Sequence, residues 1–227
     1  MKILIILVLS FTLVLAKDLV IAVGENSVLH TISKKVLEIA YSKIGLKPQF
    51  VPMQINTAIV KLNAGEVDGD VSRVKPVSDR LPNIIQVPVA INHIEAVAFS
   101  KSSTINITNW KDLEAHKFTI VKGAKFIDYA TKGMNRSIVH GYKKALENLN
   151  NNLTDVIVIP KKSGQMMIRK LGLTQIKIVS PTLEHHDLYH VLYKDNSDIV
   201  EKLTPVLNDM KRSGQIKRIH DAYHTYK

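Results

Sequence analysis

Residues 61–80 read KLNAGEVDGDVSRVKPVSDR. Ala58, Ile59 and Leu62 fall at helical spacing, and Gly65 stands where a left-handed residue ends a helix. Glu66–Val71 then predicts a short strand, and Ser72–Arg80 a loop leaving its C-terminal end. A helix, a stop, a strand and a loop in this order belong to an α/β layer, in which ligands bind beyond the C-terminal ends of the strands. The loop carries Arg73, Lys75 and Arg80. It is suited to holding a small anion, with the rest of the chain building a cleft around it.

Upstream, Leu19–Val23 (LVIAV) is a fully apolar first strand, followed by the turn Gly24-Glu25-Asn26-Ser27. Asn26 or Ser27 can cap the next helix, whose Leu29, Ile32, Val36, Ile39, Ala40 and Ile44 form one buried face up to Gly45. Lys47–Met53 alternates as a second strand, pushed to a sheet edge by Pro48 and Pro52, and Asn56–Ala64 is a helix. Downstream, Ile84–Ala90 and Glu95–Ser100 predict two further strands. A second α/β series opens near Lys101: strand Lys117–Val121, turn Lys122-Gly123-Ala124-Lys125, helix Phe126–Met134, strand Ser137–Tyr142 and helix Lys143–Leu149. It continues with strand Asp155–Ile159 stopped by Pro160, helix Ser163–Leu171 and strand Gln175–Val179. Tyr189–Tyr193 is a last strand, and the helices Ile199–Ser213 and Gln215–Tyr223, divided by Gly214, close the chain.

Composition bounds the function. A chain of 227 residues forms one large domain or two small lobes, and its 45% hydrophobic and 22% charged content excludes wholesale disorder. The absence of cysteine excludes a disulfide framework and cysteine-based metal or nucleophile chemistry. Residues 1–16, MKILIILVLSFTLVLA, have the charged start, apolar run and small residues (Val14, Ala16) of a secretory signal cut before Lys17. The mature chain is thus expected to be soluble and exported, to the periplasm. The formal net charge is +11, one unit less without Lys2, but the lysines are scattered. That pattern argues for a basic surface or a basic cleft and not for nucleic acid.

The order of elements and several motifs resemble bacterial extracellular solute-binding proteins of family 3, the periplasmic binding proteins of polar amino acid importers. Leu62-Asn63-Ala64-Gly65-Glu66-Val67-Asp68-Gly69 is similar to the family's L-x-x-G-x-x-D junction, and Ser78-Asp79-Arg80 sits where it has T-x-x-R. Asp112-Leu113 with Phe118–Gly123, and Leu207–Tyr223, match its later motifs. The resemblance implies a type II periplasmic binding protein: two doubly wound α/β lobes joined by two crossover strands, near Ala96–Lys101 and Tyr189–Lys194. Residues 17–99 with 193–227 would form lobe 1, and residues 100–192 lobe 2. A monomer would close its lobes on an anionic or zwitterionic solute and be read by an ABC permease or a membrane sensor, with no cofactor or metal.

Carried over residue by residue, Arg80 matches the family's carboxylate-binding arginine, a fork that holds two oxygens at once; the alternative is a surface arginine paired with Asp79. Arg73 stands where the family has a small hydroxyl residue. It is either a second cation for the ligand or the partner of Asp70 or Glu25. Gly123 and Lys125 fall in the turn whose N–H groups meet the ligand carboxylate. Glu25 lies on the cleft rim, and Asp70 is set to neutralise a neighbouring cation. The acid that holds an α-ammonium is replaced by Pro160, and the family's two pocket aromatics by the neighbourhood of Ser27 and by Ile55. An organic acid, an acidic peptide or a cell-wall fragment therefore suits the residues at least as well as an amino acid. The stretch Glu184–His190 reads as a polar loop ahead of the hinge and not as a metal site. The competing classes are a dehydratase-like enzyme, with Glu25 as the candidate acid, and an exported module with an empty cleft.

Overall fold

The computed structural model describes residues 19–75 and 79–225. The leader read over residues 1–16, and Ser78 of the arginine motif, lie outside the described residues. β1 (Val20–Gly24) runs into α1 (Val28–Lys43), whose N-cap is Ser27: its Oγ accepts from His30 N at 3.3 Å. β2 (Gln49–Met53), α2 (Ile55–Ala64) and β3 (Gly69–Val74) follow. β1 pairs in parallel with both β2 and β3. β4 (Ile84–Ser100) leads to β5 (Phe118–Val121), α3 (Lys125–Ala130), β6 (Arg136–Val139), α4 (Tyr142–Asn150), β7 (Val156–Pro160) and α5 (Lys161–Leu171). β5 is parallel to β6 and β7. β8 (Lys177–Ile178), β9 (Glu184–Tyr193), α6 (Ser197–Arg212) and α7 (Gln215–Thr225) complete the chain.

All nine strands form one sheet, in the order β2-β1-β3-β9-β4-β7-β5-β6, with β8 also on β4. The order contains the same unit twice. Three parallel strands (β2-β1-β3, or β6-β5-β7) are followed by an antiparallel strand shared with the other half and then by an edge strand. β9 is the shared strand of the first lobe and the C-terminal part of β4 that of the second. These are two doubly wound α/β lobes joined by two strands. Over His93–Glu95 and Asp187–His185, β4 and β9 pair only with each other.

The cores follow from strand alternation. In β7, Val156 and Val158 pack on one face with Phe118, Ile107 and Leu113. Ile157 and Ile159 pack on the other with Phe99, Leu146 and Leu149. A strand covered on both faces must be apolar throughout, which is why DVIVI has no polar alternation. In lobe 1, Ile21 and Val71 meet Val36, Leu37 and Tyr41 of α1 and Leu203 and Leu207 of α6. Each such side chain contributes roughly 1.5–3 kcal/mol by leaving water.

Several elements differ from the sequence reading, three of them in ways that bear on the cleft. Ile84–Ala90 and Glu95–Ser100 are one strand of 17 residues, because β9 pairs with it from Ile84 through Ala96 across two register shifts. β9 itself reaches back to Glu184, so the histidine stretch is strand and not loop. His186 and His190 are then separated by about 13 Å along that strand, too far to share an ion. The strand expected at Glu66–Val71 runs instead from Gly69 to Val74, so Ser72 and Arg73 lie in the strand and not in the loop expected over Ser72–Arg80. Ahead of it Asp68 is buried, its Oδ2 accepting from Val20 N at 2.9 Å while its own N–H donates to Val20 O at 2.8 Å. A Cβ on Gly69 would lie 2.8 Å from Ile21 and Leu192 and 2.9 Å from the Val191 carbonyl oxygen. The Asp68-Gly69 pair therefore lets the chain enter the sheet where only glycine fits.

Candidate ligand-binding cleft

The C-terminal ends of β1, β3 and β5 carry the polar groups singled out from the sequence. After β1, Glu25 is exposed, and its N–H is tied to Met53 O at 3.0 Å. Asn26 takes a left-handed φ of 55°, which turns the chain into α1. His30, one turn into that helix, folds back so that its Nδ1 accepts from Gly24 N at 2.8 Å. Burial lowers the His30 pKa against the opposing pull of Asp70, whose Oδ1 lies 4.0 Å away. This imidazole is neutral and structural.

At the end of β3, Arg73 and Asp70 meet. Residues three apart in a regular strand point to opposite faces. A register shift between Asp70 and Arg73 brings them to one side. Arg73 Nε donates to Asp70 Oδ2 at 3.0 Å, and Nη2 donates to the same oxygen at 2.5 Å and to Ile55 O at 2.7 Å. Asp70 is wholly buried and also accepts from Ser72 N at 3.1 Å. Arg73 is 9% exposed. The guanidinium thus neutralises Asp70 and ties β3 to the start of α2, leaving Nη1 without a partner among the described residues. Beyond it, Lys75 pairs with Asp79 at 2.8 Å. Asp79 does not pair with Arg80, which is exposed and forms no ion pair among the described residues.

In lobe 2, Gly123 has a φ of 102° with open space where a Cβ would stand, and Lys125 is exposed at the start of α3. The structure brings Arg73 and Asp70 together; it leaves Arg80, Lys125 and Glu25 at strand ends as separate exposed charges.

Several polar residues that the sequence reading passed over join these ends. Lys162, just after β7, donates to Asn92 Oδ1 at 2.9 Å. Asn92 Nδ2 donates to Leu29 O at 2.9 Å and to Ser33 Oγ at 3.1 Å. Ser33 Oγ donates to Ser72 Oγ at 3.0 Å. A buried polar chain therefore runs from lobe 2 through β4 and α1 to the Asp70–Arg73 pair. Behind it, His190 Nδ1 donates to Asp70 O at 2.8 Å, which leaves Nε2 to accept from Tyr41 OH at 2.8 Å. Burial pushes the His190 pKa down to about 4 and that of Tyr41 up. The one cue in the sequence was a pair of lysines directly after a strand-ending proline. Among the described residues no group of three metal-ligating side chains is placed to hold an ion.

Residues 32–226 match the family model of bacterial extracellular solute-binding proteins, family 3. The chain belongs to that family. Among solved structures, it is similar to the GluR0 ligand-binding core in complex with L-glutamate (TM-score 0.78, 14% identity, covering 92% of this chain and 98% of the other). It is also similar to a histidine kinase sensor domain that resembles periplasmic binding proteins (TM-score 0.74, 14% identity, 91% and 96% covered). At these identities the likeness is one of fold. A curated relative from Methanococcus maripaludis, named UvrABC system protein C, is 25% identical over 207 residues, or 89% of this chain. The chain spans only 38% of that protein's length. As a family 3 member the chain is a solute-binding domain, and its type II architecture is that of binding proteins. Among the described residues no helix is long and apolar enough to cross a membrane.

Proposed function

We propose that this family 3 domain is exported and captures a small carboxylate-bearing solute in the interlobe cleft, without turnover, for an ABC importer. The hinge is placed where β4 and β9 pair only with one another, at His93–Glu95 and Asp187–His185. The observation that carries the reading is the charge pattern at the strand ends. Asp70, the buried acid of the lobe 1 end, is neutralised by Arg73, whereas Arg80 and Lys125 are exposed and without ion pairs among the described residues. An anion gains from such groups, and the planar fork of Arg80 suits a carboxylate. Among the described residues Glu25 is the only exposed acid of the β1 end, and this reading sets it on the rim. A second reading, a ligand-sensing module of a membrane receptor, uses the same cleft; the likeness to a histidine kinase sensor domain favours it.

A thermal-shift screen of carboxylates, amino acids and peptides tests the proposal. A ligand at a hundred times its Kd stabilises by about 2.7 kcal/mol. For a chain of this size that raises the melting temperature by about 5–10 °C. The proposal expects such a shift from at least one carboxylate; shifts from cationic or neutral solutes alone would contradict it.

A further inference from the structure

The C-terminal end of β7 holds a cation that the reading above does not use. Lys162 is 8% exposed. Lysine is rarely buried this far without a carboxylate, because a desolvated ammonium needs an anion to offset the loss of water. Glu95, the acid whose charge acts on Lys162, pairs with Lys161 at 3.3 Å and accepts from Thr182 Oγ1 at 2.8 Å. Among the described residues Lys162 Nζ meets only the amide oxygen of Asn92 at 2.9 Å and His220 Nδ1 at the long distance of 3.5 Å. His220 Nε2 donates to Ile91 O at 3.0 Å, which leaves Nδ1 as the acceptor.

Charged and titratable groups face Lys162 from every packed element. Lys161 flanks Lys162 on α5, His93 and Glu95 stand on β4, His185 and Asp187 on β9, and His220 on α7. His93 stacks on His185 with ring centroids 5.3 Å apart and lies 5.9 Å from His220. The second acid, Asp187, is matched by His185 at 3.2 Å. Asn92 in turn donates to Leu29 O and Ser33 Oγ of α1. The ammonium is therefore set between the ligand ends of the two lobes.

We propose that Lys162 is the lobe 2 anchor for a second acidic group, so that the solute is a dicarboxylate held by Arg80 at one end and by Lys162 at the other. This rests on the cleft being the carboxylate site proposed above. The titration behaviour agrees with the geometry. Burial lowers the Lys162 pKa to about 8, and His93 is lowered by burial and by Lys162. A carboxylate at this position raises the Lys162 pKa again, so binding near pH 8 takes up protons.

The test uses the purified full chain and compares succinate, glutarate and 2-oxoglutarate with butyrate and valerate, in thermal shift and titration calorimetry. The diacids are expected to bind, and the monoacids to bind roughly 30-fold or more weakly. Lys162→Met, with a neutral chain of similar length, brings the diacids down to the level of the monoacids. Asn92 Oδ1 keeps its bond from His93 N at 2.9 Å, so the variant retains its local structure. Calorimetry of the unaltered chain at pH 8, in two buffers of different ionisation enthalpy, is expected to show proton uptake with diacids and decides the matter independently of the variant. Equal binding of diacids and monoacids, a diacid preference that survives Lys162→Met, or no proton uptake overturns this inference and leaves the cleft reading standing. Binding of no acid of either kind overturns both.

Discussion

Breaking the Arg73–Asp70 pair separates a structural arginine from a ligand-binding one. Asp70 is fully buried and receives two donors from Arg73 and one from Ser72 N. Asp70→Leu leaves the buried guanidinium with a single acceptor, Ile55 O. Removing one partner of a buried pair costs about 3–5 kcal/mol, because the other charge is left uncompensated. Arg73→Met leaves the carboxylate with Ser72 N and a neutral His30 at 4.0 Å, and costs a similar amount at neutral pH. The double variant removes both charges and keeps the volume, so it is expected within about 1 kcal/mol of the unaltered chain, giving a coupling of about 5 kcal/mol or more. Urea unfolding of the four proteins measures this; each single variant lowers the midpoint by about 1 M or more. Additive single effects below about 1 kcal/mol each would refute the buried pair. The double variant then reports on binding: retained affinity for an acid assigns Arg73 to the fold alone.

The pH dependence of stability has a defined sign. Unfolded, an imidazole takes its proton near 6.5, whereas His190 in the fold resists protonation down to about 4. Between those values the unfolded chain binds more protons, so the neutral fold of His190 contributes fully above pH 6.5 and about 3 kcal/mol is lost by pH 4. His30 and His93 act in the same direction. Urea midpoints from pH 7 to 4 should fall accordingly, and a flat profile would contradict the burial of His190. Gly164→Ala places a Cβ 2.6 Å from Phe99 Cζ and 2.9 Å from Ile159 Cδ1. It should lower stability by about 1–3 kcal/mol through overpacking, and an unchanged melting temperature would argue against that contact. Ser27→Ala removes the cap of α1 and should lower stability by about 1 kcal/mol, against a few tenths for Ser27→Gly.

What could be read from the sequence was what is encoded locally. Leu19–Val23 is apolar because β1 is covered on both faces, and Ser27 and Gly45 mark α1 by capping chemistry alone. The stretch Ile91-Asn92-His93-Ile94 looked like a break between strands because its partner, β9, lies about ninety residues away in sequence and pairs with it only in the folded chain. The shared strands were therefore seen in pieces. Asp70 and Arg73 were recognised as a possible pair, but a spacing of three in a strand places them apart; only the bulge, which no residue type announces, brings them together. The role of Lys162 is hard to read from the sequence for the same reason. Its meaning comes from Asn92 and His220, each about sixty to seventy residues distant. Fold class is written in patterns, while the polar chain between the lobes is written in contacts that only the topology creates.

The account turns on a carboxylate being held between the lobes at Arg80. Titration calorimetry with the acid that most stabilises the chain, on the unaltered protein and on Arg80→Gln, addresses this directly. The account predicts saturable one-to-one binding that Arg80→Gln weakens by about 2 kcal/mol or more, roughly 30-fold, without loss of the fold. One-to-one binding of equal affinity in the two proteins would contradict it.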